Sequence, residues 1–225
     1  MEEKKKEKQA DVFGNIKMLL FFWMLVVSFV LLAQHSDSLL AAKEQNVKKT
    51  EEKQSKKEEE KEAVFSEVPH YYQHDKKWGK EMYAEGTIAD SGCGPTCLSM
   101  VYVYYTGDKE KNPKWMAEYS MKKGYIEVGK TAWRLMSQGA EDLGLHVRQI
   151  PNTEKGMQEE LEKGNVMICS MGPGIFTKEG HFIVFTKWKE GEFCVNDPNS
   201  RENSSKTWKY EEFGEQIKNI WVYSK

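Results

Sequence analysis

Two stretches near the N-terminus decide where a core can form. Met18–Ala33 runs for 16 residues without a charge, and Lys43–Glu62 then packs 14 charges into 20 residues around one apolar side chain, Val47. The first has no polar face to turn toward water. The second buries too little apolar surface to offset the entropy of ordering it. A soluble hydrophobic core must therefore come from residues 64–225, which also carry most of the 27 aromatic residues. Some 160 residues suffice for one ordinary domain.

The uncharged run reads as a membrane segment. With Ile16 and the weakly polar Gln34, His35 and Ser36 it gives residues 16–36 the roughly 20-residue length that crosses a bilayer. That exceeds the roughly 7–15 residue apolar stretch of a signal peptide. Lys4, Lys5, Lys6, Lys8 and Lys17 precede it, which keeps residues 1–15 in the cytoplasm and sends the rest outside. The alternative is cleavage after the small residues Ala33, Ala41 or Ala42, giving a secreted protein. Residues 37–63 then form a charged, disordered stalk. Pairs such as Glu44/Lys48 and Glu52/Lys56 suit transient helical contacts. This layout fits a bacterial cell-surface protein.

Within residues 64–225, apolar periodicity and turn residues predict helices early and strands late. Val68–Tyr72 reads as a short strand. Cys93–Tyr105 reads as a helix with Pro95 in its first turn. Asn112-Pro113 opens a second helix that ends at Gly124, and Thr131 is placed to cap a third that runs to Gly144. His146–Ile150 reads as a strand and Thr153–Lys163 as a helix closed by Gly164. Strands follow at Val166–Ser170, His181–Lys187, Glu192–Val195 and Ile220–Tyr223. The fold class is α+β, with a helical part packed on an antiparallel sheet.

Ser91-Gly92-Cys93-Gly94-Pro95-Thr96-Cys97 carries the clearest chemistry. It sets Cys93 at a helix start, where unpaired N–H groups and the helix dipole favour a thiolate. The same N–H groups can receive an oxyanion. Cys97, one turn on, reads as core. His181 opens an apolar strand directly after the loop Met171-Gly172-Pro173-Gly174 and reads as the base. An imidazole beside a thiol activates the nucleophile and later protonates the leaving group. The turn Val195-Asn196-Asp197-Pro198 follows the next strand. A hairpin of that length can bring Asp197 beside His181 to hold its tautomer, with Asn196 as the adjacent alternative.

With those residues in the order Cys, His, Asp, the domain resembles the papain-like cysteine peptidases. The match is to the bacteriocin-leader-peptidase-like group, cysteine peptidase family 39 and its stand-alone relatives. The resemblance covers most of residues 68–210. It rests on Val68-Pro69, Tyr71-Tyr72-Gln73-His74-Asp75 and Trp78, on Ser91 to Thr96, and on Gly129-Lys130-Thr131-Ala132-Trp133. It continues through Met171 to Gly174, Gly180-His181-Phe182-Ile183-Val184 and Val195 to Pro198. It implies a papain-like fold with Cys93 as nucleophile, His181 as general base and acid, and Asp197 as orienting residue. The oxyanion-hole glutamine of papain-like enzymes falls at Thr87 here, so Gln73 becomes the candidate donor beside the Cys93 N–H. The exporter joined to leader-processing members is missing, so bacteriocin maturation does not follow.

The expected function is thus a membrane-anchored extracytoplasmic peptidase acting on a peptide or protein substrate. The same residues would serve a hydrolase of cell-wall peptides, and a non-catalytic peptide-binding domain is the third reading. Cys169 and Cys194, on strands expected to be neighbours, read as structural thiols. His70, His74 and Asp75 lack a recognisable metal-ligand spacing. No metal, cofactor or nucleic-acid partner is expected. The net charge of −2 lacks the basic excess of a nucleic-acid binder, and no glycine-rich nucleotide loop lies between a strand and a helix.

Overall fold

The computed structural model describes Trp23, Met24 and residues 67–224. Apart from those first two residues, the expected tail at 1–15, span at 16–36 and stalk at 37–63 lie outside the described residues. Among the described residues no helix is long and apolar enough to cross a membrane.

The centre of the domain is a six-stranded antiparallel sheet. In chain order, two small hairpins come first, β1 (Met82–Tyr83) with β2 (Gly86–Thr87) and β3 (Ile126–Glu127) with β4 (Lys130–Thr131). The sheet proper uses β5 (His146–Gln149), β6 (Val166–Met171), β7 (His181–Lys189), β8 (Glu192–Asn196), β9 (Thr207–Trp208) and β10 (Ile217–Ser224). Its spatial order is β5-β10-β6-β7-β8-β9.

Every residue of β6 is buried, because side chains covering the sheet lie on both faces. Alternation sorts the side chains of β6, β7 and β10. Val166, Ile168, Phe182, Val184, Trp221 and Tyr223 join Leu98 and Val101 of the Cys93–Thr106 helix on one face. Met167, Cys169, Ile183, Phe185, Ile220 and Val222 face Met157 and Leu161 of the Glu154–Glu162 helix, with Phe213, on the other. The Cys93–Thr106 helix is pinned from its far end. Tyr105 donates its hydroxyl to Tyr223 O at 2.6 Å and accepts from Val166 N–H at 3.2 Å.

Local signals worked where capping chemistry was explicit. Asn112 accepts from Trp115 N–H at 3.2 Å and Pro113 begins the helix Pro113–Lys122. Thr153 caps the Glu154–Glu162 helix through Gly156 N–H. Gly124, Gly144 and Gly164 follow their helices with positive φ.

Two elements differ from expectation. Val68–Tyr72 is not a strand: Pro69 has no N–H for a ladder. The carbonyls of Val68 and Pro69 instead accept from the Asn196 side chain, at 3.2 and 3.4 Å. The helix expected from Thr131 to Gly144 is also broken. Thr131 closes the β3–β4 hairpin, whose turn Val128-Gly129 has φ of 48° and 69°. A short 3₁₀ turn at Trp133–Leu135 and a helix at Gln138–Asp142 follow. The Thr131 hydroxyl bonds to Tyr83 OH at 2.7 Å and caps nothing.

Candidate active site

The Cys93–Thr106 helix begins in a tight space, and its two glycines answer to that space. A Cβ at Gly92 would lie 2.5 Å from the carbonyl oxygen of Ile88 in the preceding short helix Ile88–Ser91. A Cβ at Gly94 would lie 2.6 Å from Thr131 Cγ2, so the helix start can press against β4 only without a side chain there. Cys93 stands between them as the first helical residue, partly exposed. The first N–H groups of a helix lack intrahelical partners, and Pro95 has none to lose.

β7 brings His181 to the same place. The helix packs on β7, and Cys97 Sγ, one turn after Cys93, donates to Phe182 O at 3.2 Å. His181 is 7% exposed. Its Nε2 lies 2.7 Å from Asp197 Oδ1, so that nitrogen carries a proton toward the carboxylate and Nδ1 is left for the thiol. Burial alone would raise the Cys93 thiol. The His181 hydrogen bond and charge, with the N–H groups of Phe182 and Gly94, outweigh it and hold the thiol below its usual 9.0. Burial alone would lower His181, but Asp197 and Cys93 push it up to about 10. Each shift favours the charged form of its group, thiolate and imidazolium.

Asp197 is fully buried and its carboxylate has several donors. Oδ1 accepts from His181 and from Asn199 N–H at 2.8 Å, and Oδ2 accepts from Asn203 Nδ2 at 2.7 Å. Burial raises its pKa, yet these partners, His181 foremost, bring it below the ordinary carboxylate value. Asn196, the alternative, points away to the Val68 and Pro69 carbonyls, as strand alternation requires. Asn203 and Ser204 escaped the sequence reading. Ser200 caps their short helix Arg201–Ser204, and the polar run after Asp197-Pro198 was the one available signal.

Gln73 is buried at the edge of the same cleft. Its Nε2 donates to Ala89 O at 2.7 Å, which leaves that amide nitrogen a second hydrogen, and its Oε1 has no partner. The cleft encloses about 440 Å³ and is lined by Gln73, Cys93, Trp133, His181 and Asn199. Lys130 and Glu179, also in its lining, form an ion pair at 3.0 Å. Trp133 is 48% exposed and packs edge-on against buried Trp221.

The remaining thiols lie apart from this chemistry. All four cysteines are free. Cys169 and Cys194 are not on neighbouring strands as expected, because β7 runs between β6 and β8. Burial raises Cys97 and Cys169 well above the ordinary thiol value. His70 and His74 spend ring nitrogens on Asp197 O and Asn199 Oδ1.

A helix-borne thiol that shares one cleft with an imidazole held by a buried carboxylate is the arrangement of a thiol-dependent hydrolase. The chain belongs to the Peptidase_C39 like family, which matches residues 65–225, and it is a cysteine peptidase that acts on a peptide or protein substrate. Solved structures are similar to it, two of them as follows. One is the peptidase domain of Streptococcus ComA, a bifunctional ABC transporter involved in a quorum-sensing pathway. It is 17% identical with a TM-score of 0.46, over 60% of this chain and 93% of that one. The other, from Bacillus anthracis, is assigned as a C39-like peptidase. It is 12% identical with a TM-score of 0.47, over 70% of this chain and 94% of that one. No curated protein matches the chain significantly.

Proposed function

We propose that the protein is a membrane-anchored, extracytoplasmic peptidase that cuts peptide bonds with Cys93, His181 and Asp197. The observation that carries this reading is the chain of contacts at the cleft. Asp197 Oδ1 lies 2.7 Å from His181 Nε2, and His181 lines one cleft with Cys93 at its helix start, where the imidazolium charge favours the thiolate. The anchor rests on the uncharged run within residues 16–36 and the lysines before it.

The reaction begins as the Cys93 thiolate attacks the carbonyl carbon of the scissile amide. A C–S bond forms and the carbonyl electron pair moves to oxygen. The Cys93 N–H and the second hydrogen of Gln73 Nε2 receive that oxyanion. As the electrons return, the C–N bond breaks and the amine leaves with the proton from His181 Nδ1. A water then gives a proton to His181 and attacks the thioester, which releases the carboxylic acid and restores the thiolate. Asp197 keeps the imidazole in the right tautomer and stabilises it while it is charged.

The test is a turnover assay on the purified full chain with an unfolded protein as substrate. Cys93→Ala should remove cleavage without lowering Tm, since alanine suits a helix start between two glycines. Cleavage retained in that variant would overturn the mechanism. Fractionation of cells that express the full chain should put it in the membrane, and protease added outside intact cells should remove the domain.

A further inference from the structure

The arm at residues 67–75 forms no strand, yet it follows the end of β8 and the loop after it in step. Asn196 Nδ2 donates to Val68 O and Pro69 O. His70 Nε2 lies 3.1 Å from Asp197 O. Gln73 N–H donates to Pro198 O at 2.8 Å, and His74 bonds to the Asn199 side chain. Four consecutive residues, 196–199, are each held by the arm. His70 is the arm residue that grips Asp197.

The main chain of Asp197 is tied at both ends. Its N–H donates to Ser204 Oγ at 2.9 Å, and its carbonyl accepts from His70. The His70 ring is itself locked. Its Nδ1 accepts from Tyr72 OH at 3.0 Å, Ser204 Oγ lies 3.2 Å from its Nε2, and the Arg201 guanidinium covers the Tyr72 ring at 3.8 Å. Burial, with the Arg201 charge, keeps His70 below the ordinary histidine value despite the pull of Asp197. A neutral ring with its proton on Nε2 satisfies every one of these contacts.

We propose that His70 is a positioning residue for peptide hydrolysis, acting through the main chain of Asp197 to hold the carboxylate on His181. The proposal rests on the reading of Asp197 as the orienting group. Hydrogen bonds between a carboxylate and an imidazolium lose strength with small increases in length or misalignment. A shift in the Asp197 backbone therefore passes to His181, and from His181 to the thiol.

The experiment is the pH dependence of Cys93 alkylation by iodoacetamide, read by mass spectrometry on the full chain, beside kcat and KM. His70→Phe keeps a ring and removes the polar contacts. It should raise the apparent pKa of Cys93 by about one unit and lower kcat about tenfold, with KM unchanged. His70→Gln, whose amide nitrogen can stand in for Nε2, should recover most of both. Tyr72→Phe removes one hydroxyl and should shift the profile the same way by less. A His70→Phe protein with a wild-type profile overturns the proposal, as does a His70→Gln protein no better than His70→Phe. If His70→Phe does not fold, Tyr72→Phe decides, and an unshifted profile there overturns it. His181→Ala separates the two readings: a wild-type profile in that variant sinks the Cys–His pair itself, whereas normal behaviour confined to the residue 70 and 72 variants sinks only the role of His70.

Discussion

At the scale of single residues, the cleft works by pairing charge. In His181→Ala, burial acts on Cys93 against the N–H groups of Phe182 and Gly94 alone, so the alkylation profile should move upward. The sign for the intact protein follows from both shifts. Cleavage should rise with pH as Cys93, held below 9.0, becomes thiolate, and fall as His181 loses its proton near 10. A profile of kcat/KM that keeps climbing past pH 10 would contradict the assignment of His181 as proton donor. Asp197→Asn should cost less activity than His181→Ala, because an amide can still accept from Nε2 while losing the charge. Cys93 and His181 were legible in the sequence because each stands at the start of an apolar element beside glycine. His70 was not, because its partner is a main-chain carbonyl 127 residues away and no local pattern marks such a contact.

Elements show why some boundaries could be read and others not. Caps are local, so Asn112 and Thr153 announced their helices. Asn112→Ala should cost about 1 kcal/mol, seen as a lower urea midpoint with activity unchanged. The Thr131 helix failed because a turn of Val and Gly took precedence over helical periodicity. Valine at positive φ is strained and 98% exposed. Val128→Asn should therefore raise stability by about 1 kcal/mol, and a lower Tm in that variant would contradict the strain. The same reasoning gives Gly92 its role. The atom that a Cβ would meet there is backbone, so Gly92→Ala should lose stability and activity together, by about 1–3 kcal/mol in the former.

Over the whole domain, two apolar clusters share one sheet, so neither face can fail alone. Phe185→Ala, on the face away from Cys93, should cost about 3–5 kcal/mol. Loss of tryptophan fluorescence and loss of fast Cys93 alkylation should then coincide in urea. The antiparallel sheet was legible because its strands alternate or run apolar. The arm was not, because its partners are the loop after β8 rather than a ladder. Distance in sequence also decides when the thiol becomes reactive. The group that lowers the Cys93 thiol is 88 residues downstream, on a strand that must first pair within the sheet. An unfolded chain carries an ordinary thiol and an ordinary imidazole, largely uncharged at neutral pH. The reactivity of the proposed pair is therefore switched on by the completion of the chain's own topology.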